Sequence, residues 1–204
     1  MLENNPQTLV STSWLLKHLN DPDLRIIDAS WYLPKMNRNG FKEYKDNHIP
    51  GARFFDIDEI CDLQNNLPHM APTPQKFVSR MKAMGIGDGH QIVIYDGHGI
   101  FSSARVWWMF RLFGKKNVAV LDGGLPKWLE AKNPTDNKSP VLRDRHITVQ
   151  FQAGLIKDVT QVASASKLST STILDARSMS RFKGEEVEPR PGLRSGHIPG
   201  SKNL

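Results

Sequence analysis

Few side chains in this sequence could do covalent chemistry, and the spacing of those few is informative. Cys61 is the one cysteine among 204 residues. A thiol attacks as its thiolate, which forms near neutrality only beside basic groups or at a helix N-terminus. Cys61 has neither: its context, DIDEICDLQNN, is acidic and keeps the proton on sulfur. It reads as a structural cysteine. Two histidines recur within the same four letters, HIPG, at 48–51 and 197–200. Two arginines, Arg181 in MSRFKG and Arg190 in EPRPG, share the charged loop ahead of the second HIPG. A guanidinium fork fits a carboxylate or oxyanion, although arginines in such loops are ordinarily solvated. With no CxxC and no closely spaced histidine pair, a structural zinc site is not expected. GIGDG at 85–89 misses the dinucleotide glycine spacing and precedes an apolar stretch instead of following one, so it reads as a turn. No cofactor is expected.

The elements that must position these groups form a repeat. LRIIDAS at 24–30 and STILDAR at 171–177 each read as a short apolar strand ending in an acidic turn, with Asp28 and Asp175 in corresponding places. A stretch able to form a helix precedes each: STSWLLKHL, with serine and threonine capping candidates, and DVTQVASASKL, which opens on Asp158. Asp28 lies 20 residues before His48, and Asp175 lies 22 before His197. A period near 150 residues points to two copies of one domain and not to a solenoid. The first copy continues through ARFFDID, a short strand; TPQKFVSRMKAMGI, a helix; HQIVIYD, a strongly apolar strand; GHGIFSSARVWWMFRLFG, a loop opening a helix; VAVLDGG, a strand; and LPKWLEA, a helix. Trp107, Trp108, Phe110 and Leu112 are expected mostly in the core. This alternation predicts an α/β fold with a mostly parallel sheet flanked by helices. Domains are expected at residues 1–135 and 147–204, joined by a linker at 136–146 rich in Pro, Asn, Ser and charge. HIPG itself reads as a corner: Ile49 and Ile198 precede proline and favour extended backbone, and Gly51 and Gly200 permit a tight turn into the next strand.

Bulk properties set the class. A chain of this length, 39% hydrophobic, can fill a core, and it contains no apolar run near the roughly 20 residues of a spanning helix. The start, MLENNPQTLV, has neither a signal-peptide apolar stretch nor transit-peptide arginines, so a cytoplasmic protein is expected. The net charge of +6 comes from basic residues interleaved with acidic ones. That describes solvated surface, with neither nucleic acid nor membrane as a partner.

The strings DASWYLP, HIPGARFFDID, LPHM, VIYDGHGIFSSARVWWMF, LDGGLPKWL, LDARSMSRFKG, EPRPG and GHIPG together resemble the tandem-domain sulfurtransferases, the rhodanese and 3-mercaptopyruvate sulfurtransferase family. The resemblance runs over nearly the whole chain. It implies tandem rhodanese-like domains in which only the C-terminal copy is catalytic. There a cysteine heading a strand-to-helix loop would carry sulfane sulfur as a persulfide. The small anionic donor would be 3-mercaptopyruvate or thiosulfate, and the acceptor a thiol, including a thioredoxin-like protein, or cyanide. Loop amides and a helix N-terminus would hold the thiolate.

By the same resemblance Arg181 and Arg190 are candidate substrate-binding residues, Arg190 tilting the donor toward 3-mercaptopyruvate, and His48 is a third. Asp96 stands in the first copy where the catalytic copy would have cysteine, which matches the family's inactive domain. Asp96 lies 45 residues beyond Gly51. The corresponding cysteine is therefore expected beyond Leu204, leaving no catalytic residue in this chain and an incomplete second domain. The alternative reading is a non-catalytic rhodanese-like binding or regulatory module; a related dual-specificity phosphatase is a more distant one.

Overall fold

The computed structural model describes residues 3–168, 170–189 and 192–204. The chain divides into two compact units, Met1–Ala153 and Gly154–Leu204. The first unit is built around a parallel sheet. In chain order its elements are β1 (Leu9–Val10), α1 (Thr12–His18), β2 (Leu24–Asp28), α2 (Gly40–Asp46), β3 (Arg53–Phe54), α3 (Pro74–Ala83), β4 (Gln91–Tyr95), α4 (Ser103–Leu112), β5 (Val118–Leu121) and α5 (Gly124–Glu130). The sheet order is β1-β5-β4-β2-β3, and every neighbouring pair runs parallel.

IVIY is apolar without alternation because β4 is the middle strand. Ile92, Val93, Ile94 and Tyr95 are all fully buried, as a strand covered on both faces requires. The register Asp28↔Tyr95 brings the C-terminal end of β2 beside that of β4. Helix boundaries follow local chemistry. Ser11 accepts from the Trp14 amide at the start of α1, and Thr73 accepts from the Lys76 amide ahead of Pro74 at the start of α3. Gly85, in the left-handed region at φ 66°, ends the turn after α3. On α4, Phe110 and Leu112 are core, whereas Trp107 and Trp108 are only half-buried. The Trp107 indole N–H instead donates to the carbonyls of Gln7 and Val118, and the Arg105 guanidinium lies over Trp108.

The stretch expected as a linker packs within the first unit. His48 and Asp136 exchange backbone hydrogen bonds of 2.8 and 2.9 Å. Further on, the His146 carbonyl accepts from the Asp88 amide, and the Gln150 and Gln152 amides donate to the carbonyls of Phe113 and Leu112. Gly85, Gly87 and Gly114 lie directly beneath this strap: a Cβ at Gly87 would stand 2.7 Å from the His146 carbonyl oxygen. The physical reason is hydrogen-bond satisfaction: backbone groups of the loops after α3 and α4 find partners in the strap that composition alone does not reveal.

The second unit contains α6 (Val159–Leu168), β6 (Leu174–Asp175), α7 (Met179–Lys183) and β7 (Lys202–Asn203). Its two strands pair in parallel, Leu174↔Lys202 and Asp175↔Asn203. HIPG performs the same task in both units. Gly51 (φ 77°) and Gly200 (φ 78°) both occupy the left-handed region, and the chain re-enters the sheet two residues later as β3 or β7. Each histidine clamps the preceding segment: His48 Nδ1 bonds the Tyr44 carbonyl with its ring stacked on Tyr44, and His197 Nδ1 bonds the Phe182 carbonyl with its ring stacked on Phe182.

Candidate functional site

In parallel α/β sheets, ligand groups gather where strands end and helices begin. In the first unit that place is the loop from Asp96 to Ser103, and it is already filled. One Asp96 carboxylate oxygen accepts from the amides of His98 and Gly99, both at 2.9 Å. The other accepts from Phe101 at 2.8 Å and Ser103 at 2.9 Å. Burial by itself would raise the Asp96 carboxyl, but these N–H donors outweigh it and hold the group below its ordinary range. The amide cradle at the start of α4 therefore contains a fixed anion and no nucleophile.

Cys61 is 4% exposed, and its thiol donates to the Asp58 carbonyl at 3.0 Å. Burial pushes the thiol up; Lys76 opposes this, while Asp58 adds to it. A proton-bearing, enclosed sulfur is the opposite of what attack on a donor needs.

Close by is a pair that the sequence reading did not single out. His69 Nε2 lies 2.6 Å from Asp58 Oδ1, and the Trp31 indole N–H donates to both Asp58 oxygens at 3.0 and 3.1 Å. Trp31 also meets the His69 ring edge-on at 5.0 Å. Arg105 donates to the His69 carbonyl, and His69 holds a left-handed φ of 58°. A carboxylate that orients an imidazole can help move a proton. Trp31, Asp58 and Asp56 border a cavity of about 240 Å³ whose wall also includes Tyr32 and Arg38. In the sequence its members stood in two of the family strings, Asp58 at the end of HIPGARFFDID and His69 in LPHM, and nothing paired them because ten residues lie between.

His48 is 1% exposed. Its Nε2 lies 3.2 Å from both the Lys138 carbonyl and Asp136 Oδ1, so both ring nitrogens are engaged within the first unit. The structure gives it an architectural part, as a peg between the end of α2 and the strap. It does not face the cavity beside Trp31.

In the second unit the acidic turn after β6 organises a set of ion pairs. Asp175 accepts from the Arg177 amide at 3.0 Å and from Arg177 Nε at 2.9 Å. The bonds from Arg177 hold the Asp175 carboxyl down at about 2. Arg177 also donates to Glu188 at 2.8 Å and to the Gly196 carbonyl at 2.7 Å. Glu188 accepts from Arg181 as well, and its carboxyl is lowered chiefly by that bond. Arg181 Nε is buried without a hydrogen-bond partner among the described residues. Beside these groups a groove is lined by Arg177, Arg194 and His197. Arg190, the other arginine singled out, lies outside the described residues. Among the described residues no cluster of three or more His, Cys, Asp or Glu is placed to hold a metal ion, and no helix is long and apolar enough to cross a membrane.

The parallel sheet and the amide-rich loop opening a helix at its C-terminal edge define a rhodanese-type α/β domain. The rhodanese-like domain model matches residues 11–131, and the chain belongs to the rhodanese family. It is 43% identical over 217 residues to the mitochondrial thiosulfate/3-mercaptopyruvate sulfurtransferase 1 of Arabidopsis thaliana, a match covering 96% of this chain and 57% of that protein. It is 40% identical over 196 residues to the 3-mercaptopyruvate sulfurtransferase of Escherichia coli K12, covering 96% of this chain and 70% of the relative. Among solved structures, the crystal structure of SseA, a 3-mercaptopyruvate sulfurtransferase from Escherichia coli, superimposes with a TM-score of 0.86 at 38% identity, over 96% of this chain and 73% of that one. The chain thus spans 57% and 64% of the length of two Arabidopsis relatives.

Proposed function

We propose that this protein is a sulfurtransferase that takes sulfane sulfur from an anionic donor, 3-mercaptopyruvate ahead of thiosulfate, and passes it to a thiol or cyanide acceptor through a cysteine persulfide. The observation that carries this reading is the identity of about 40%, spread over 96% of the chain, with proteins bearing the 3-mercaptopyruvate sulfurtransferase name. In the transfer a cysteine thiolate bonds to the donor sulfur and the donor's C–S bond breaks. The electron pair leaves on pyruvate as its enolate, which takes up a proton. An acceptor thiolate then takes the outer sulfur and releases the cysteine thiolate, so no outside oxidant or reductant is required. Arg181 and Arg190 hold the donor's carboxylate in this reading; among the described residues the Arg181 guanidinium makes one hydrogen bond, to Glu188, which leaves it donors to offer.

Cys61 is not the sulfur carrier: it is enclosed, and its thiol is pushed up. The relatives are longer than this chain, and the reading assigns the nucleophile to the part of them that these 204 residues do not span. A second reading, a non-catalytic rhodanese-like module, draws support from Asp96, whose carboxylate fills the first unit's amide cradle. One experiment separates the two. The protein is incubated with 3-mercaptopyruvate and a thiol, with hydrogen sulfide release and addition of a sulfur atom to cysteine as readouts. The 204-residue chain is expected to be inactive, and a longer form bearing a cysteine loop after the second HIPG is expected to turn over. Inactivity of that longer form favours the module. Turnover by the short chain that disappears in Cys61→Ser overturns the assignment of the nucleophile.

A further inference from the structure

We infer that Glu188 sets the charge of the donor accepted beside Arg181, favouring a monoanion over a dianion. This rests on the proposed role of Arg181 in donor binding. The Glu188 side chain is only 4% exposed and bridges two arginines, donors being Arg177 Nη1 at 2.8 Å and Arg181 Nη2 at 2.5 Å. Arg177 in turn is paired with Asp175. These four side chains carry two positive and two negative charges, so the cluster is neutral as a set.

The two arginines differ in what they have left to offer. Arg177 is committed through Nε, Nη1 and Nη2 to Asp175, Glu188 and the Gly196 carbonyl. Among the described residues Arg181 bonds through Nη2, to Glu188, and its Nη1 makes no hydrogen bond. An oxyanion bonded to Nη1 would lie a few ångströms from the Glu188 carboxylate. A donor bearing one charge gains the hydrogen bond against one repulsion; a second charge on the donor adds a second repulsion from a carboxylate too enclosed to turn away. 3-Mercaptopyruvate presents one carboxylate, whereas thiosulfate is a dianion. Other cations lining the site attract both ligands, but the difference contributed by Glu188 persists, because it scales with the ligand's extra charge.

The test compares binding of pyruvate, the monoanionic probe, and thiosulfate, the dianionic one, to the chain by calorimetric titration. In Glu188→Gln the preference should move toward thiosulfate by about tenfold, the effect of one charge some 6 Å away at a protein surface. Glu188→Asp keeps the charge and should keep the original preference. If Glu188 serves packing alone, or the glutamine variant loses its fold, both anions weaken together, and that result overturns the inference. If the unaltered chain binds neither probe, or Arg181→Ala binds both as before, the donor-site reading fails and the inference fails with it.

Discussion

Asp28 and Asp175 end corresponding strands and make the same turn, each accepting from the amide two residues ahead: Ser30 at 2.8 Å and Arg177 at 3.0 Å. Their carboxyl groups are nevertheless displaced in opposite directions. Asp28 is buried, and desolvation pushes it from 3.8 up to about 6 against the bonds from Ser30. Asp175 faces the Arg177 guanidinium and falls to about 2. Burial decides the first displacement, against the third residue of its turn, and the third residue itself decides the second. Serine supplies hydrogen bonds without charge in the core of the first unit, and arginine supplies a cation near the surface of the second.

Asp28→Asn should stabilise the first unit near neutrality. The folded state holds the Asp28 proton more tightly than the open chain does, so its contribution favours folding below about pH 4 and is lost as pH rises through about 6. The amide removes that dependence while keeping an oxygen for the Ser30 N–H. At about pH 7 the gain should be on the order of 2 to 3 kcal/mol, vanishing at about pH 4. All five tryptophans lie in the first unit, so their fluorescence during denaturant unfolding at the two pH values measures it.

Asp96→Asn should have the opposite sign. Its lowered carboxyl contributes stability above the ordinary carboxylate range, and that contribution is lost as pH falls through the folded value. An amide turns an NH₂ group toward donors that the carboxylate accepted, leaving N–H groups unpaired. The expected loss is about 2 to 4 kcal/mol at neutral pH, shrinking in acid. The same titration checks it.

His48→Ala should weaken the first unit by about 2 to 4 kcal/mol, since it deletes an enclosed ring bonded through both nitrogens and stacked on Tyr44. Anion titrations of the second unit should not change. His197 occupies the equivalent place but is exposed, and His197→Ala should cost under about 1 kcal/mol.

Gly87→Ala should loosen the strap. The added methyl would meet the His146 carbonyl oxygen at 2.7 Å and the Arg145 Cβ at 2.9 Å, both on the strap itself. A cost of about 1 to 3 kcal/mol is expected, with faster proteolysis within 136–152 as the direct readout.

Arg190→Ala, in a sulfurtransferase form that carries the nucleophile, should raise the apparent constant for 3-mercaptopyruvate by about one to two orders of magnitude, the worth of one charge-assisted bond. Thiosulfate turnover should suffer less. Equal losses with both donors would remove Arg190 from donor selection.

The order of strands and helices, the helix starts at Ser11 and Thr73, the burial of IVIY and the HIPG corners were legible in the sequence. Each depends on neighbours a few residues apart: a capping hydroxyl, an apolar run, a proline before a left-handed glycine. What tertiary structure decided involves distant partners. His48 became a buried peg because residues 136–138 return to meet it, and the expected linker became a strap because three glycines leave room for it. Asp58 and His69 form a pair only because Trp31 and Arg105, from opposite sides in sequence, hold the loop between them in place. Arg181 was visible as a cation, but that Glu188 would neutralise it was not. A charge in a sequence has no partner until the fold brings one within about 3 Å, and ion pairing depends on that distance.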